Sequence, residues 1–329
     1  MIKIAFFDTK EYDKKVFNKY NEKYGYDITY FESKLNPETA MLTKGYDVVC
    51  IFVNDNANAE TLKILEQNGV KCLALRCAGF NNVDLTQKGS IRVVRVPQYS
   101  PYSVAEHAVA LLLNINRKIY KSYQRTKKYN FSIDGLLGFD IHGKTVGVIG
   151  TGKIGKVFIE IMNGFGANVI AYDLFKDEEA QKRLGFEYVE LDELYRKSDI
   201  ISLHCPLTKE TEKIINKDSI DKMKQGVIII NCSRGKLINT DDLIDELETG
   251  KIGGVGLDVY EDEEEYFLRD LSNEYRRDKD LSILLSMPNV LITSHQAFFT
   301  QEAINKIASD TLENVTKVIN NEECENELK

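Results

Sequence analysis

The stretch that decides the fold is Gly150-Thr151-Gly152-Lys153-Ile154-Gly155, which follows the apolar run Val146-Gly147-Val148-Ile149. Together they predict a strand, a glycine turn and then a helix. In such a turn the first glycine makes the tight bend, the second lets the backbone approach a pyrophosphate, and the third permits close contact between helix and strand. The helix N-terminus then faces the phosphates. The stretch therefore predicts a dinucleotide-binding unit.

A second strand-like run, Asn168-Val169-Ile170-Ala171-Tyr172, ends at Asp173, about 20 residues further along the chain. A carboxylate at this position accepts a hydrogen bond from a ribose 2′-hydroxyl and repels a 2′-phosphate. We therefore expect NAD as the cofactor rather than NADP. The alternative interpretation of the turn, a glycine bend without any ligand, is weakened by this second strand.

The composition is that of an ordinary soluble globular protein. The 329 residues predict about two domains, and the chain is 43% hydrophobic and 29% charged. Its net charge of -8 argues against a nucleic-acid or anionic-membrane surface, since either needs a basic patch. No apolar run is long enough to span a bilayer, and the N-terminal residues are too polar for a signal peptide.

The cysteines indicate a reducing compartment rather than a metal site. None of them has the spacing of metal ligands, and several lie inside apolar strand-like runs where a buried thiol is the usual interpretation. We therefore expect a cytoplasmic protein without a bound metal. The six residues are Cys50, Cys72, Cys77, Cys205, Cys232 and Cys324.

Short apolar runs alternate with helical patterns along the first hundred residues. Strand-like runs at 3–8, 28–31, 48–52 and 72–75 alternate with helical segments such as 59–68. This alternation predicts one α/β domain with a parallel sheet covered on both faces. The domain ends near Tyr99, where two nearby prolines favour a stiff, non-helical crossing.

The segment after these prolines predicts a long apolar helix. Ser103 and Glu106 have the spacing of a capping box that would begin it, and His107 is interpreted as a packed helix residue. The following residues, 118–134, are polar, basic and aromatic. We interpret them as a solvated face or as one that contacts another subunit.

Polar side chains recur after four further strand-like runs, at 199–204, 226–231, 254–257 and 289–293. The carboxyl ends of parallel strands share one edge of a sheet, so we expect Arg234, Asp258, Glu263 and His295 to converge beside the dinucleotide. Each alone is more simply interpreted as a surface charge or a satisfied loop residue. The coincidence of all four favours a site.

Taken in order, the motifs resemble those of the D-isomer-specific 2-hydroxyacid dehydrogenases, and most closely the D-lactate dehydrogenase branch. This resemblance covers essentially the whole chain. It implies an α/β fold of two doubly wound parallel-sheet domains. A flavodoxin-like substrate domain would comprise 1–100 plus 300–329, with a long amphipathic helix at 302–320, and a Rossmann-type NAD-binding domain would comprise 101–299. The motifs are Gly150–Gly155, Asn231-Cys232-Ser233-Arg234-Gly235, Leu257–Glu263, Ser294-His295-Gln296-Ala297-Phe298, Arg76-Cys77-Ala78-Gly79 and Val96–Pro101.

The resemblance also implies roles for individual residues. His295 matches the proton donor to the ketone oxygen as NADH delivers hydride, and Glu263 matches the carboxylate that raises the pKa of that imidazole. Arg234 matches the residue that binds the substrate carboxylate and polarises the carbonyl. The backbone amides of Ala78 and Gly79, with the Tyr99 hydroxyl, match the remaining substrate contacts.

The cofactor contacts implied by the resemblance lie almost entirely after strand ends. The family also implies a homodimer formed through the NAD-binding domain. The positions that match cofactor-binding residues are Gly150, Gly152, Lys153, Ile154, Gly155, Asp173, Cys205, Pro206, Thr211, Cys232, Ser233, Arg234 and Asp258.

The expected function is an NAD-dependent D-lactate dehydrogenase that reduces pyruvate to D-lactate. One alternative is the same chemistry on a bulkier 2-oxo acid, 2-oxoisocaproate or phenylpyruvate, because Phe299 stands where this branch often carries tyrosine. Another is a non-enzymatic, NADH-sensing corepressor, since one fold serves several functions. The set formed by Arg234, Glu263 and His295 and the acidity of the chain favour the enzyme.

Overall fold

A computed structural model describes residues 1–263, 266–267, 269–275 and 278–329. The chain forms two compact units, and each has its own sheet. The first unit comprises Met1–Ser100 and Phe299–Lys329, and the second comprises Pro101–Phe298. Phe299, expected at the end of the central segment, therefore belongs to the first unit.

The helices and strands alternate along most of the chain. In order they are β1 (Lys3–Phe6), α1 (Glu11–Asn21), β2 (Asp27–Tyr30), β3 (Val48–Ile51), α2 (Ala59–Gln67), β4 (Cys72–Leu75), β5 (Arg92–Arg95), α3 (Pro101–Arg117), α4 (Ile119–Thr126), β6 (Thr145–Ile149), α5 (Lys153–Gly164), β7 (Asn168–Tyr172), α6 (Glu178–Leu184), β8 (Glu187–Tyr188), α7 (Leu191–Lys197), β9 (Ile200–Leu203), α8 (Lys217–Lys222), β10 (Val227–Asn231), α9 (Thr240–Glu248), β11 (Ile252–Leu257), α10 (Lys279–Ser286), β12 (Val290–Ile292), α11 (Gln301–Ile319) and β13 (Glu327–Leu328).

The first unit has a six-stranded sheet with the order β13-β5-β4-β3-β1-β2. Its first five strands along the chain pair in parallel, as predicted from the short apolar runs. β3 and β4 are buried along their whole length, which is typical of strands covered on both faces. β13 adds an antiparallel edge, where Glu327 pairs with Val94. The sequence analysis missed this strand, because two residues carry no periodic pattern.

The second unit has a parallel seven-stranded sheet with the order β12-β11-β10-β9-β6-β7-β8. The order in which the chain adds strands to the sheet reverses at β6. This strand pairs with β7 on one side and with β9 on the other. This is the strand order of the doubly wound dinucleotide-binding fold, extended by one strand. In such sheets ligands bind beyond the carboxyl ends of the strands at the reversal point.

Helix α3 begins at Pro101, so the expected capping box at Ser103 is wrong. Ser103 is buried within the first turn of the helix. Proline is favoured at the first helical position, because its fixed φ suits the helix and its missing N–H has no partner there in any case. The apolar face of α3 packs on the second sheet through residues that include Ala108, Leu111 and Ile115.

Helix α11 confirms the amphipathic helix expected at 302–320. Thr300 caps it by accepting a hydrogen bond from the Ala303 amide at 3.3 Å. Its buried face, which includes Ile307 and Leu312, packs on β4, β5 and α1 of the first unit. None of the described helices is both long and apolar enough to cross a membrane.

Candidate active site

The glycine turn between β6 and α5 has no room for side chains at two positions. Gly150 has a φ of +97°, and a Cβ there would lie 2.5 Å from the Cys205 amide nitrogen. A Cβ on Gly155 would lie 2.1 Å from the Gly150 carbonyl oxygen. Gly152, by contrast, faces open space and caps α5. The turn thus leaves bare backbone at a helix N-terminus, a cradle that suits a pyrophosphate.

Asp173 lies beside this turn, just beyond the carboxyl end of β7. Its Oδ2 accepts hydrogen bonds from the Thr151 amide at 2.6 Å and the Thr151 hydroxyl at 3.0 Å. Oδ1 accepts from the Phe175 amide at 2.9 Å. Tyr188, which the sequence analysis missed, brings its hydroxyl to 2.7 Å from that of Thr151. The carboxylate is therefore held in one position next to the glycine turn.

The loops after β9 and β10 are hydrogen-bonded to each other. The Ser233 hydroxyl donates to the Cys205 carbonyl at 2.6 Å, which joins the two loops. Within the loop after β9, the Thr211 hydroxyl donates to the Pro206 carbonyl at 2.7 Å.

Burial raises the pKa of the Cys232 thiol, and the nearby charge of Asp258 raises it further. Both effects disfavour the thiolate, the form in which a cysteine acts as a nucleophile. Lys153 and Ile154 occupy the first turn of α5.

His295 and Glu263 form the central polar contact of the second unit. The His295 Nδ1 lies 2.8 Å from the Glu263 Oε1, and the Tyr260 amide donates to the other carboxylate oxygen at 3.0 Å. Burial alone would lower the pKa of His295. The hydrogen bond and charge of Glu263 outweigh burial, so this pKa is raised above its usual value. Glu263 therefore favours the protonated form of the imidazole.

Asp258 is fully buried and fixes the loop that carries His295. Its carboxylate accepts from the Thr293 hydroxyl at 2.5 Å and from the amides of Gln296 and Ala297 at 2.9 and 2.7 Å. Its backbone carbonyl accepts from the His295 amide at 2.9 Å. Burial raises the pKa of Asp258, but these hydrogen bonds, with one from a histidine on α3, hold it below its usual value. Asp258 thus stays ionised.

That histidine is His107, whose contacts the sequence analysis missed. Its Nε2 lies 3.0 Å from the Thr293 hydroxyl and 3.3 Å from an Asp258 carboxylate oxygen. A signal was present in the sequence, because His107 is spaced four residues from both Ser103 and Leu111 on the buried stripe of α3. A polar ring on an apolar stripe indicates a specific partner.

Arg234 follows β10 in a turn that packs tightly against the Tyr260 segment. A Cβ on Gly235 would lie 2.0 Å from the Tyr260 carbonyl. The Arg234 Nη1 donates to the Ser233 carbonyl at 2.7 Å, and the Arg234 carbonyl accepts from the Asn231 side chain at 2.8 Å. The positive charge of Arg234 acts to lower the pKa of His295. The structure thus brings these two side chains together with Glu263 at one edge of the second sheet.

The other predicted site residues lie in the first unit, at the carboxyl end of β4 and beyond β5. The carbonyl of Cys77 accepts from the Val96 amide at 3.1 Å, and that of Ala78 accepts from the Arg95 Nη1 at 2.7 Å. Among the residues that the structure describes, none accepts a hydrogen bond from the amides of Ala78 or Gly79. Two adjacent free amides of this kind suit an anion. The third residue, Tyr99, is half-buried in the same unit.

The first unit also contains two aromatic contacts at residues that the sequence analysis named. The Arg76 guanidinium is buried between the rings of Phe6 and Phe52, 4.4 and 4.9 Å from their centroids. Phe299, which is half exposed, packs edge-on against Tyr12 with the ring centroids 4.7 Å apart. The sequence analysis placed Arg76 only in a loop motif. Its burial could not be predicted from a charged side chain next to a strand.

Comparison with known proteins gives a consistent family. Residues 109–297 match the model of the D-isomer specific 2-hydroxyacid dehydrogenase, NAD binding domain. A 2-hydroxyacid dehydrogenase homolog of Haemophilus influenzae is 51% identical, covering 99% of this chain and 98% of that protein. The apo-structure of D-lactate dehydrogenase from Escherichia coli has a TM-score of 0.91 and 46% identity, covering 100% of both chains. A pyruvate reductase of Chlamydomonas reinhardtii has a TM-score of 0.94 and 44% identity over 99% of this chain and 98% of that one.

Proposed function

This chain belongs to the D-isomer-specific 2-hydroxyacid dehydrogenases, which are NAD-dependent enzymes, and we propose that it reduces pyruvate to D-lactate with NADH. The observation that carries the proposal is the 2.8 Å contact between Glu263 and His295, which lies within the part of the chain matched by the family model. Similar proteins named D-lactate dehydrogenase and pyruvate reductase support pyruvate as the substrate.

In this proposal His295 is the proton donor. Its Nδ1 is engaged by Glu263, so the proton leaves from Nε2 and goes to the keto oxygen. NADH, when bound, would supply a hydride for the keto carbon, so that pyruvate, NADH and one proton give D-lactate and NAD⁺. Because Glu263 raises the pKa of His295, it favours the charged imidazole that reduction needs. In the reverse direction the neutral imidazole accepts the proton of the alcohol.

We assign the binding of the substrate carboxylate to the residues that match the family's substrate contacts. Arg234 binds it with a planar fork and polarises the carbonyl, a task for which lysine is a poor substitute. The free amides of Ala78 and Gly79 and the hydroxyl of Tyr99 complete the set. The support is the pair of amides at the carboxyl end of β4 that donate to no described residue, at a position where open parallel sheets bind ligands.

The NAD contacts that we propose follow the edge of the second sheet. The turn at Gly152, which has no side chain, fits the pyrophosphate. The fixed carboxylate of Asp173 fits the adenosine ribose and would repel the 2′-phosphate of NADP. The full set comprises Gly150, Gly152, Lys153, Ile154, Gly155, Asp173, Cys205, Pro206, Thr211, Cys232, Ser233, Arg234 and Asp258. In this set Asp258 acts through the loop at 293–297, which its carboxylate holds.

The proposal is tested by initial rates of NADH oxidation against a panel of 2-oxo acids. We expect the highest kcat/KM with pyruvate and a D-lactate product that a stereospecific assay detects. A higher kcat/KM with 2-oxoisocaproate or phenylpyruvate would mean that the substrate is the bulkier 2-oxo acid and that the reaction type is unchanged. NADH binding without turnover of any acid would instead favour the corepressor function and overturn the enzyme.

We further propose a cytoplasmic homodimer formed through the second unit. All six cysteines are free thiols, as expected in a reducing compartment. Helix α4 buries none of its residues, and the segment at 119–137 exposes an unusual concentration of apolar side chains. Such a patch is typical of a surface that another chain covers. These side chains are Ile119, Tyr123, Tyr129, Phe131, Ile133 and Leu137.

A further inference from the structure

Arg95 makes two contacts with the loop that follows β4, although it belongs to the neighbouring strand. Its Nη1 donates to the carbonyl of Ala78 at 2.7 Å, and its guanidinium carbon lies 5.0 Å from the ring centroid of Phe80. A hydrogen bond from a charged donor is stronger than one between neutral groups, and stacking restricts the plane of the guanidinium. Arg95 therefore holds this loop at two successive points.

The planarity of the peptide bond gives this contact a consequence for the next residue. The carbonyl of Ala78 and the amide of Gly79 belong to one trans peptide, in which C=O and N–H point in opposite directions. When Arg95 fixes the carbonyl, it also fixes the direction of the Gly79 N–H. In the same way the bond from the Val96 amide to the Cys77 carbonyl fixes the Ala78 N–H.

The backbone of Arg95 is itself held by the C-terminal part of the first unit. Its amide donates to the Asn326 carbonyl at 3.1 Å, and its carbonyl accepts from the Asn314 side chain at 2.9 Å. These contacts involve backbone atoms of Arg95, so a side-chain substitution leaves them in place. The guanidinium can thus be removed without dismantling the strand that carries it.

We propose that Arg95 is a positioning residue that aims the Gly79 amide at the carboxylate of the bound 2-oxo acid. This inference rests on the proposed function, in which that amide binds the substrate. Arg95 acts through the peptide between Ala78 and Gly79 and does not itself touch the substrate. Its loss releases one amide of the pair, while the Val96 contact still holds the other.

The test compares Arg95→Met and Arg95→Lys with Arg92→Met as a matched control. Arg92 lies on the same strand, but its side chain pairs with Glu327 rather than with the substrate loop. We expect Arg95→Met to raise the KM for pyruvate and the inhibition constant of oxamate, a pyruvate analogue, by about tenfold. Arg95→Lys keeps a donor but loses the fork, so it should raise both about threefold. The Kd for NADH should not change.

Arg92→Met should lower the melting temperature and leave the KM and the oxamate constant at wild-type values. Unchanged constants in folded Arg95→Met would overturn the inference, and so would an equal rise in Arg92→Met, which would indicate a general loss of strand packing. If Arg95→Met does not fold, the KM and the oxamate constant of Arg95→Lys are compared with those of Arg92→Met. A rise in Arg95→Lys alone supports the inference, and equal values overturn it. Wild-type protein that reduces no 2-oxo acid would overturn the proposed function and this inference with it. If the wild type reduces pyruvate and folded Arg95→Met has the same KM and oxamate constant, the inference is overturned and the proposed function stands.

Discussion

His295 has a φ of +54°, a left-handed conformation that few residues other than glycine adopt. Such a conformation persists only where the surroundings enforce it. Here the Asp258 carbonyl holds its backbone and Glu263 holds its ring. The backbone conformation turns the imidazole toward Glu263 rather than leaving it free in a loop. A single residue thus combines local strain with the contact that raises its pKa.

Glu263→Gln should lower the pH above which 2-oxo acid reduction declines, by about one unit. Reduction needs charged His295, so kcat/KM is retained below the pKa of this imidazole and falls above it. Glu263 raises that pKa, and its loss must move the decline to lower pH. The measurement is the pH profile of kcat/KM for pyruvate in both proteins.

Glu261→Gln is the control for this experiment, because Glu261 bonds Thr240 and Lys213 and makes no contact with His295 in the described structure. It should leave the decline where the wild type has it. A profile that does not move in Glu263→Gln, or that moves equally in Glu261→Gln, would contradict the coupling. The Kd for NADH, measured at one pH, should be the same in all three proteins.

At the scale of single elements, the glycine turn and most strands were predictable because their sequence patterns are local. Gly150 and Gly155 recur at fixed spacing next to an apolar run, and the structure shows that both positions exclude a Cβ. The identity of the partners of His107 and Asp258 was not predictable, since it depends on α3 meeting the ends of β11 and β12. Those elements lie far apart in the sequence, and only the packed sheet brings them together.

Gly155→Ala should weaken NADH binding by at least about tenfold and lower the melting temperature. Its Cβ would overlap the Gly150 carbonyl, which is backbone and cannot move aside without distorting the turn. Gly164→Ala is the matched control at the other end of α5, where a Cβ meets nothing within 4 Å. That control should gain about 0.5–1 kcal/mol of stability and keep the wild-type Kd.

Fluorescence titration with NADH and thermal denaturation measure the two effects for both glycine variants. Wild-type affinity in a folded Gly155→Ala protein would mean that this turn does not form the cofactor site. Equal loss of affinity in Gly164→Ala would show that α5 as a whole, and not the close approach at Gly155, governs binding.

For the whole molecule, we predict that replacing Phe131 and Ile133 together by serine gives a monomer. Both side chains are more than two-thirds exposed in the isolated chain, and their burial between two copies would contribute several kcal/mol to association. Sedimentation equilibrium should give one chain mass for this variant and two for the wild type. Leu285→Ser, an exposed residue outside the segment, should remain a dimer.

A wild-type protein that sediments as a monomer would contradict the proposed association. A double variant that remains a dimer would instead move the interface away from residues 119–137. The sequence indicated this segment by its basic and aromatic composition but left its solvent exposure open. Exposure depends on which helix face the sheet covers, and among the described residues of α4 the core cluster of the second unit is contacted by Tyr120 alone.

The first unit is assembled from two stretches that are almost two hundred residues apart, and this sets an order for its synthesis. When residue 298 has left the ribosome, the second unit has every strand of its sheet. At that moment the first unit still lacks α11, which covers β4 and β5, and β13, which closes the sheet edge at β5. The nascent chain therefore carries an open strand edge and an uncovered apolar face while the second unit is already able to fold.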